Sequence, residues 1–205
     1  MYDPQVSKWP LEVEVRPGHI GNTSLSTVST ITSPSDKQSG ELYSQIAQVV
    51  LVDKVTRRPT PVADEWRRLY LPHCVRGEQP LIIPRQQVPT DGAASVYQVK
   101  VSWSDTDNYN HTNFASYPRF ALDAIHDALS QGLLPESLSE KDIAAGVAEV
   151  KISYIGEAVE GDMLQVHVWC PEKTERTVVC SMNKEGQLIN QVTLIFHSAD
   201  TTCQL

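Results

Sequence analysis

One stretch of this chain repeats apolar residues at the spacing of a long amphipathic helix, and no comparable stretch is found elsewhere in the sequence. The apolar positions recur three and four residues apart, at Phe114, Tyr117, Ala121, Ala124, Ile125, Ala128 and Leu129. Gly132 follows at a suitable position for the helix to end. A helix of about 16 residues spans roughly 24 Å, and its apolar stripe must be buried against other segments of the chain.

Segments that resemble β-strands lie on both sides of this helix. Val96–Ser104 alternates apolar and polar residues, which is typical of a half-buried strand. Four more strands are predicted after the helix, at Val147–Tyr154, Met163–Cys170, Arg176–Met182 and Leu188–His197. We therefore predict an α+β fold in which an antiparallel sheet wraps around the central helix.

The first half of the chain contains strand-like segments but no long helix. Strands are predicted at Leu11–Arg16, Ser24–Ile31 and Glu41–Asp53, and a short helix at Pro61–Tyr70. Prolines 72, 80, 84 and 89 follow, and proline favours extended, irregular backbone. We therefore predict a partial unit at residues 1–75, a Pro-rich linker at 76–95 and a complete unit at 96–200.

Composition excludes several classes of protein. The formal net charge of the 205 residues is −8, whereas nucleic-acid binders are normally basic, so no nucleic-acid partner is expected. No apolar run approaches the roughly 18 residues of a membrane helix, and no secretory signal is visible. The four cysteines form no disulfide pattern, which favours a reducing compartment such as the cytoplasm. The terminal Cys203-Gln204-Leu205 resembles a peroxisomal signal only faintly, and leaves the peroxisome or another organelle as an alternative.

The segment before the long helix concentrates polar groups that can perform chemistry. Ser104–Asn113 contains Asp105, Asp107 and His111 between a predicted strand and the helix N-terminus. The first amides of a helix have no acceptor within it, and they stabilise negative charge. A carboxylate beside them could attack a carbonyl group or deprotonate a water molecule, and a histidine could transfer a proton.

Two other interpretations of this segment remain open. Asn113 or Ser116 could simply cap the helix, and Ser116 as the cap would place Pro118 within the first turn. Asp105, Asp107 and His111 could instead bind a metal ion, although no fourth ligand is evident.

The order of these residues resembles the signature of hotdog-fold thioesterases, in particular the acyl-ACP and 4-hydroxybenzoyl-CoA thioesterase branches. The matching positions are Trp103, Asp105, Asp107, His111, Asn113 and Tyr117. Residues 152–158 resemble the next strand of that family, which carries an active-site glutamate in the plant acyl-ACP enzymes. The resemblance extends over residues 11–198 and implies two hotdog units in tandem, of which the first is partial.

The resemblance also implies roles for individual residues. Asp107 corresponds to the catalytic carboxylate, as base or nucleophile, and His111 and Glu157 correspond to the other catalytic groups. The expected substrate-binding residues are Asn113, Phe114, Tyr117, Arg57 and Arg58. The two arginines would meet the phosphates of coenzyme A or an acidic carrier protein, although a solvated surface with ordinary ion pairs is the alternative.

Three positions differ from the family's pattern. Tyr109 occupies the place of a catalytic asparagine of the plant enzymes, and Ala158 occupies that of a cysteine. Pro118 replaces a usual aliphatic residue in the helix.

The expected activity is hydrolysis of an acyl thioester of coenzyme A or of an acyl-carrier protein, within fatty acid metabolism. No metal or redox cofactor is implied, and a homodimer is expected by analogy with other hotdog proteins. The main alternative is a non-catalytic hotdog protein that binds acyl-CoA or a protein partner, because fold alone does not determine function. A dehydratase on the same fold is a third possibility.

Overall fold

The computed structural model describes residues 9–34, 40–77, 79–171, 174 and 176–198. The chain divides into two compact units, Met1–Ile82 and Ile83–Leu205. The faint peroxisomal match at the C-terminus lies outside the described residues. In the described part of the chain, no helix is both long and apolar enough to cross a membrane.

The first unit is built on a three-stranded antiparallel sheet. Its strands follow one another in chain order, as β1 (Glu12–Ile20), β2 (Ser24–Thr32) and β3 (Glu41–Val50). Alternating valine, isoleucine and threonine residues favour this extended backbone. A short helix, α1 (Asp64–Tyr70), follows the sheet. Among its described residues, this unit contains no helix longer than α1.

Helix α1 begins three residues later than the sequence predicts. The Thr60 amide donates to the carbonyl of Leu51, and the Val62 amide donates to the carbonyl of Asn22. These bonds keep the chain extended along the sheet, so Pro61 cannot begin a helix there. Asp64 and Glu65 then occupy the first turn, where the helix dipole favours acidic side chains.

The second unit contains a five-stranded antiparallel sheet and a long helix. The sheet is ordered β4-β6-β7-β8-β5, with β4 and β5 at its edges. Its strands are β4 (Ser95–Lys100), β5 (Val147–Tyr154), β6 (Met163–Trp169), β7 (Thr177–Lys184) and β8 (Gln187–Phe196). The helices are α2 (Ser116–Ser130) and the short α3 (Glu140–Ala145). The predicted sequence of one strand, one long helix and an antiparallel meander is confirmed.

The core lies between α2 and one face of this sheet. The helix buries Tyr117, Phe120, Ala121, Ala124, Ile125 and Ala128. Alternate residues of β6, β7 and β8 complete the core, among them Val166, Cys180 and Val192. The small alanine side chains allow a close approach, and the Cys180 thiol lies 3.9 Å from the Ala121 carbonyl oxygen. Gly132, with a φ of +69°, ends the helix, as predicted.

Two predictions about the segment before α2 are wrong: the end of the strand β4 and the start of the helix. The strand predicted to reach Ser104 ends at Lys100, because the Asp105 carboxylate accepts the Ser102 amide and closes a 3-10 turn at Trp103–Asp105. Phe114, predicted to belong to the apolar stripe, precedes the helix and is 70% exposed. Backbone hydrogen bonds within the preceding loop keep Phe114 out of the helix, which begins at Ser116.

The two phenylalanines at this end of α2 provide a matched test of the core. Phe120 is fully buried, so Phe120→Ala is expected to lower the free energy of unfolding by about 3–5 kcal/mol. Phe114→Ala is expected to change it by less than about 0.5 kcal/mol, because most of that ring faces solvent. Urea denaturation measures both values. Equal losses for the two variants would contradict this description of the core.

Candidate active site

The loop between β4 and α2 is connected to the helix through Asp105. This carboxylate is only 5% exposed and forms an ion pair with Arg119 in the first turns of α2. The Asp105 carbonyl accepts the Asn113 amide at 2.7 Å and the Ser116 hydroxyl at 3.1 Å. Asp105 therefore joins the beginning of the loop, its end and the helix.

Asp107 organises the middle of the same loop. Its amide donates to the His111 carbonyl at 2.9 Å, which closes a tight turn with Asn110 at a φ of +61°. Its Oδ1 atom accepts the Tyr109 amide at 2.8 Å and the His111 amide at 3.3 Å. Within the described part of the chain, its Oδ2 atom accepts no hydrogen bond. One oxygen of this half-buried carboxylate is thus fixed, and the other is left for a ligand or water.

His111 connects this loop to the segment that carries Glu157. A backbone bridge pairs His111 with Val159, and the Thr112 amide and hydroxyl both donate to the Ala158 carbonyl, at 2.7 and 2.9 Å. The His111 Nε2 atom lies 3.4 Å from a Glu157 carboxylate oxygen. The structure therefore brings together Asp107, His111 and Glu157, the three residues predicted to be catalytic.

The Glu157 turn is itself fixed from two sides. Before it, the Ile155 and Gly156 amides both donate to the Ile189 carbonyl, each at 2.9 Å. A methyl group on Gly156 would lie 3.0 Å from the Ile189 side chain, so glycine permits this close approach. After it, the Asp162 carboxylate accepts the Val159 amide at 2.8 Å and the Lys184 ammonium at 2.7 Å.

The two predicted caps of α2 behave differently from a simple N-cap. Ser116 is the first helical residue and its hydroxyl donates to the Asp105 carbonyl, so of the two alternatives Ser116 is not the N-cap. Ala115 occupies the N-cap position without a side-chain bond. The Asn113 side chain accepts the Ala115 amide at 2.9 Å, just before the helix. Pro118 falls in the first turn, where its missing N–H costs little.

The predicted substrate-binding aromatic residues lie in different environments. Phe114 is exposed beside the loop, and its carbonyl accepts the Tyr154 hydroxyl at 3.1 Å. Tyr117 is buried, with its ring 5.9 Å from that of Tyr154 in an edge-on contact. Burial raises the pKa of the Tyr117 phenol, despite hydrogen bonds with Thr112 and the Ala158 backbone that favour ionisation. The Tyr117 phenol is therefore neutral, and its ring packs in the core near the site.

The predicted arginines belong to the first unit. Arg57 and Arg58 lie in a tight turn in which the Asp53 carboxylate accepts the Val55 and Thr56 amides. Hydrogen bonds from Thr56 lower the pKa of Asp53, which keeps it ionised. A role for the two arginines in substrate binding stays a prediction.

The metal interpretation finds no geometric support. Asp105 is committed to Arg119, and one oxygen of Asp107 is committed to backbone amides. Among the described residues, no group of three His, Cys, Asp or Glu side chains is arranged to bind a metal ion.

Two structural pairs were not apparent from the sequence. Arg119 lies one turn into the predicted helix. Nothing in the sequence of the loop indicates that the Arg119 side chain pairs with Asp105. Gly161-Asp162 is recognisable as a turn, but its Lys184 partner lies on a strand 22 residues later.

The sequence profile of the thioesterase-like superfamily matches residues 101–203, about half of the chain, and includes the whole loop and the Glu157 turn. The chain belongs to the thioesterase-like superfamily. It is an enzyme of that class, a hydrolase that acts on thioester bonds.

Two solved structures share the fold at low sequence identity. The 12:0-ACP thioesterase from Umbellularia californica is 17% identical, with a TM-score of 0.64 over 91% of this chain and 67% of that chain. An acyl-ACP thioesterase from Bacteroides thetaiotaomicron is also 17% identical, with a TM-score of 0.60 over 91% of this chain and 68% of that chain. No curated protein sequence matches the chain. The predicted hotdog fold is confirmed.

The Asp105–Arg119 pair can be tested against a second carboxylate on the same arginine. Arg119→Gln leaves the buried Asp105 carboxylate without its charge partner and is expected to lower the free energy of unfolding by about 1–3 kcal/mol. Asp123→Asn removes only the half-exposed partner of Arg119, so a change below about 0.5 kcal/mol is expected. Urea denaturation measures both values. An equal loss in the free energy of unfolding for the two variants would show that the ion pair with Arg119 does not stabilise the buried Asp105 carboxylate.

The Asp162–Lys184 pair predicts a pH dependence of stability. The Lys184 hydrogen bond lowers the pKa of Asp162, so this contribution is complete above about pH 4 and is lost as pH falls through the folded-state pKa. Asp162→Asn is therefore expected to be less stable than the wild type at pH 7, and the difference should shrink toward pH 2. Glu160→Gln, an exposed carboxylate of the same turn, is the control. A constant difference across this range would contradict the prediction.

Proposed function

We propose that the unit Ile83–Leu205 hydrolyses an acyl thioester with Asp107 as the residue that acts on the carbonyl carbon, directly or through water. Two contacts in the loop before α2 support this proposal: the His111 amide donates to the Asp107 carboxylate, and the His111 ring lies beside the Glu157 carboxylate. The superfamily match supports the reaction class, whereas the assignment of roles rests on the geometry.

The two oxygens of Asp107 would have different tasks. Oδ1 accepts two backbone amides, which fixes the plane of the carboxylate. Oδ2 would then attack the thioester carbonyl or remove a proton from a water molecule that attacks it. Direct attack would expel the thiolate and leave a mixed anhydride between the acyl group and Asp107, which water must then open. In ¹⁸O-labelled water under single-turnover conditions, an acid product without ¹⁸O shows direct attack followed by opening of the anhydride at the Asp107 carboxyl carbon, because attack of water on the acyl carbon always labels the product.

The N-terminus of α2 would stabilise the charge that develops on the carbonyl oxygen. In the first turn of this 15-residue helix, the Ser116 amide donates to the Asn113 carbonyl and Pro118 has no amide hydrogen, so the Tyr117 amide is the donor that would face the carbonyl oxygen. The partial positive charge of the helix end is pre-oriented and needs little reorganisation during the reaction. A thiolate departs readily, so strong acid assistance is unnecessary. His111, oriented by Glu157 at 3.4 Å, would assist by donating a proton or by positioning water.

The proposed substrates are acyl groups carried by coenzyme A or by an acyl-carrier protein, as in fatty acid metabolism. The two structures compared above are named for acyl-ACP substrates. Binding of the phosphates of coenzyme A, or of the acidic face of a carrier protein, by Arg57 and Arg58 stays a prediction. A homodimer is part of this proposal, because hotdog proteins usually assemble in pairs, and placement in the cytoplasm stays a prediction.

Thiol release from a panel of acyl-CoA and acyl-carrier-protein thioesters tests the proposal. Asp107→Asn keeps the amide contacts at Oδ1 but removes the charge, so kcat is expected to fall by roughly 10²–10⁴-fold. Glu160→Gln, a nearby carboxylate outside the site, should retain full activity. Tight binding of acyl-CoA without any release of thiol would instead support a non-catalytic binding protein.

A further inference from the structure

Asn190 is a polar residue in the core of the second unit. It lies on β8, opposite Tyr154 of β5 on one side and Met182 of β7 on the other. It shares a face with Val192 and Leu194, which pack into the core beneath α2. Its side chain is fully buried. The amide therefore points into the layer between the sheet and the helix, where the surroundings are apolar.

Neither polar atom of this amide has a partner. Among the described residues, Nδ2 and Oδ1 of Asn190 make no hydrogen bond. The adjacent Gln191, on the opposite face, is fully bonded: its Nε2 donates to the Gln86 carbonyl and the Ser181 hydroxyl, and its Oε1 accepts the Gln86 amide. A buried amide without partners is costly, so an unpaired one in a core usually reflects a missing partner.

Asn190 lies next to the candidate active site. The preceding residue, Ile189, forms a bulge in the β7–β8 pairing, and its carbonyl accepts the two amides that lead into the Glu157 turn. The cross-strand neighbour Tyr154 contacts the ring of Tyr117 in the first turn of α2. The unpaired amide is thus beneath the helix end at which the thioester carbonyl is proposed to bind.

We propose that Asn190 recognises a hydroxyl group on the acyl chain, close to the thioester. An amide presents one donor and one acceptor group, and a hydroxyl can satisfy both at once. An unsubstituted acyl chain offers neither, so it would leave the buried amide unpaired. Tyr154, the cross-strand partner of Asn190, is half-exposed on the edge strand β5. This inference rests on the proposed function for the identity of the ligand.

The test compares 2- and 3-hydroxyacyl-CoA thioesters with unsubstituted acyl-CoA of the same chain length. For the wild type, kcat/KM is expected to favour one hydroxylated substrate by at least about tenfold. Asn190→Leu, of similar volume, should reduce this preference to about one while unfolding at an equal or higher urea concentration. Gln191→Leu is the matched control: it should unfold more easily, because its partners lose their bonds, but it should keep the hydroxyl preference.

A binding measurement separates this inference from the proposed function. Acyl-CoA analogues with a methylene group in place of the thioester sulfur cannot be hydrolysed, and calorimetry gives their affinities with and without the hydroxyl. An Asn190-dependent preference in binding, without hydrolysis of any thioester, would overturn only the proposed reaction. Active wild-type enzyme with no hydroxyl preference, or a preference that persists in Asn190→Leu, would overturn the inference and indicate that Asn190 binds a buried water only.

Discussion

The buried carboxylate of Asp105 is the contact on which the geometry of the site depends. The carboxylate closes the turn after β4 by accepting the Ser102 amide, and it pairs with Arg119 on α2. The backbone carbonyl of Asp105 accepts the Asn113 amide at the end of the same loop. A charge removed from water is stabilised only by such close partners. The Asp107 loop consequently has both of its ends held against one helix, and that helix is itself fixed by its apolar stripe.

A second set of contacts brings the partner residue to this loop. The Ile189 carbonyl and the Asp162–Lys184 pair hold the turn that carries Glu157, and a backbone bridge joins that turn to His111. The proposed catalytic groups therefore come from two segments about 50 residues apart, yet each is positioned mostly by backbone bonds. Backbone contacts of this kind orient side chains accurately, which is what pre-organised catalysis requires.

The sequence predicted the elements and the loop but not the contacts that shape them. Hydrophobic periodicity located α2 and the strands of the meander, because burial imposes that pattern directly. Periodicity could not show that Phe114 lies outside the helix or that β4 ends at Lys100, since the Asp105 contacts decide both. The spacing of Asp107 and His111 indicated a site. The roles of Arg119, Lys184 and Asn190 could not be predicted, because they depend on contacts between segments that are distant in the sequence.

The proposed chemistry requires that the Asp107 carboxylate and the N-terminus of α2 face one thioester carbonyl. A crystal structure with an acyl-CoA analogue that has a methylene group in place of sulfur would show whether they do. We expect the carbonyl oxygen about 3 Å from an amide of the first turn, and the carbonyl carbon within about 3.5 Å of an Asp107 oxygen. An analogue bound elsewhere, with Asp107 directed into solvent, would rule out this arrangement.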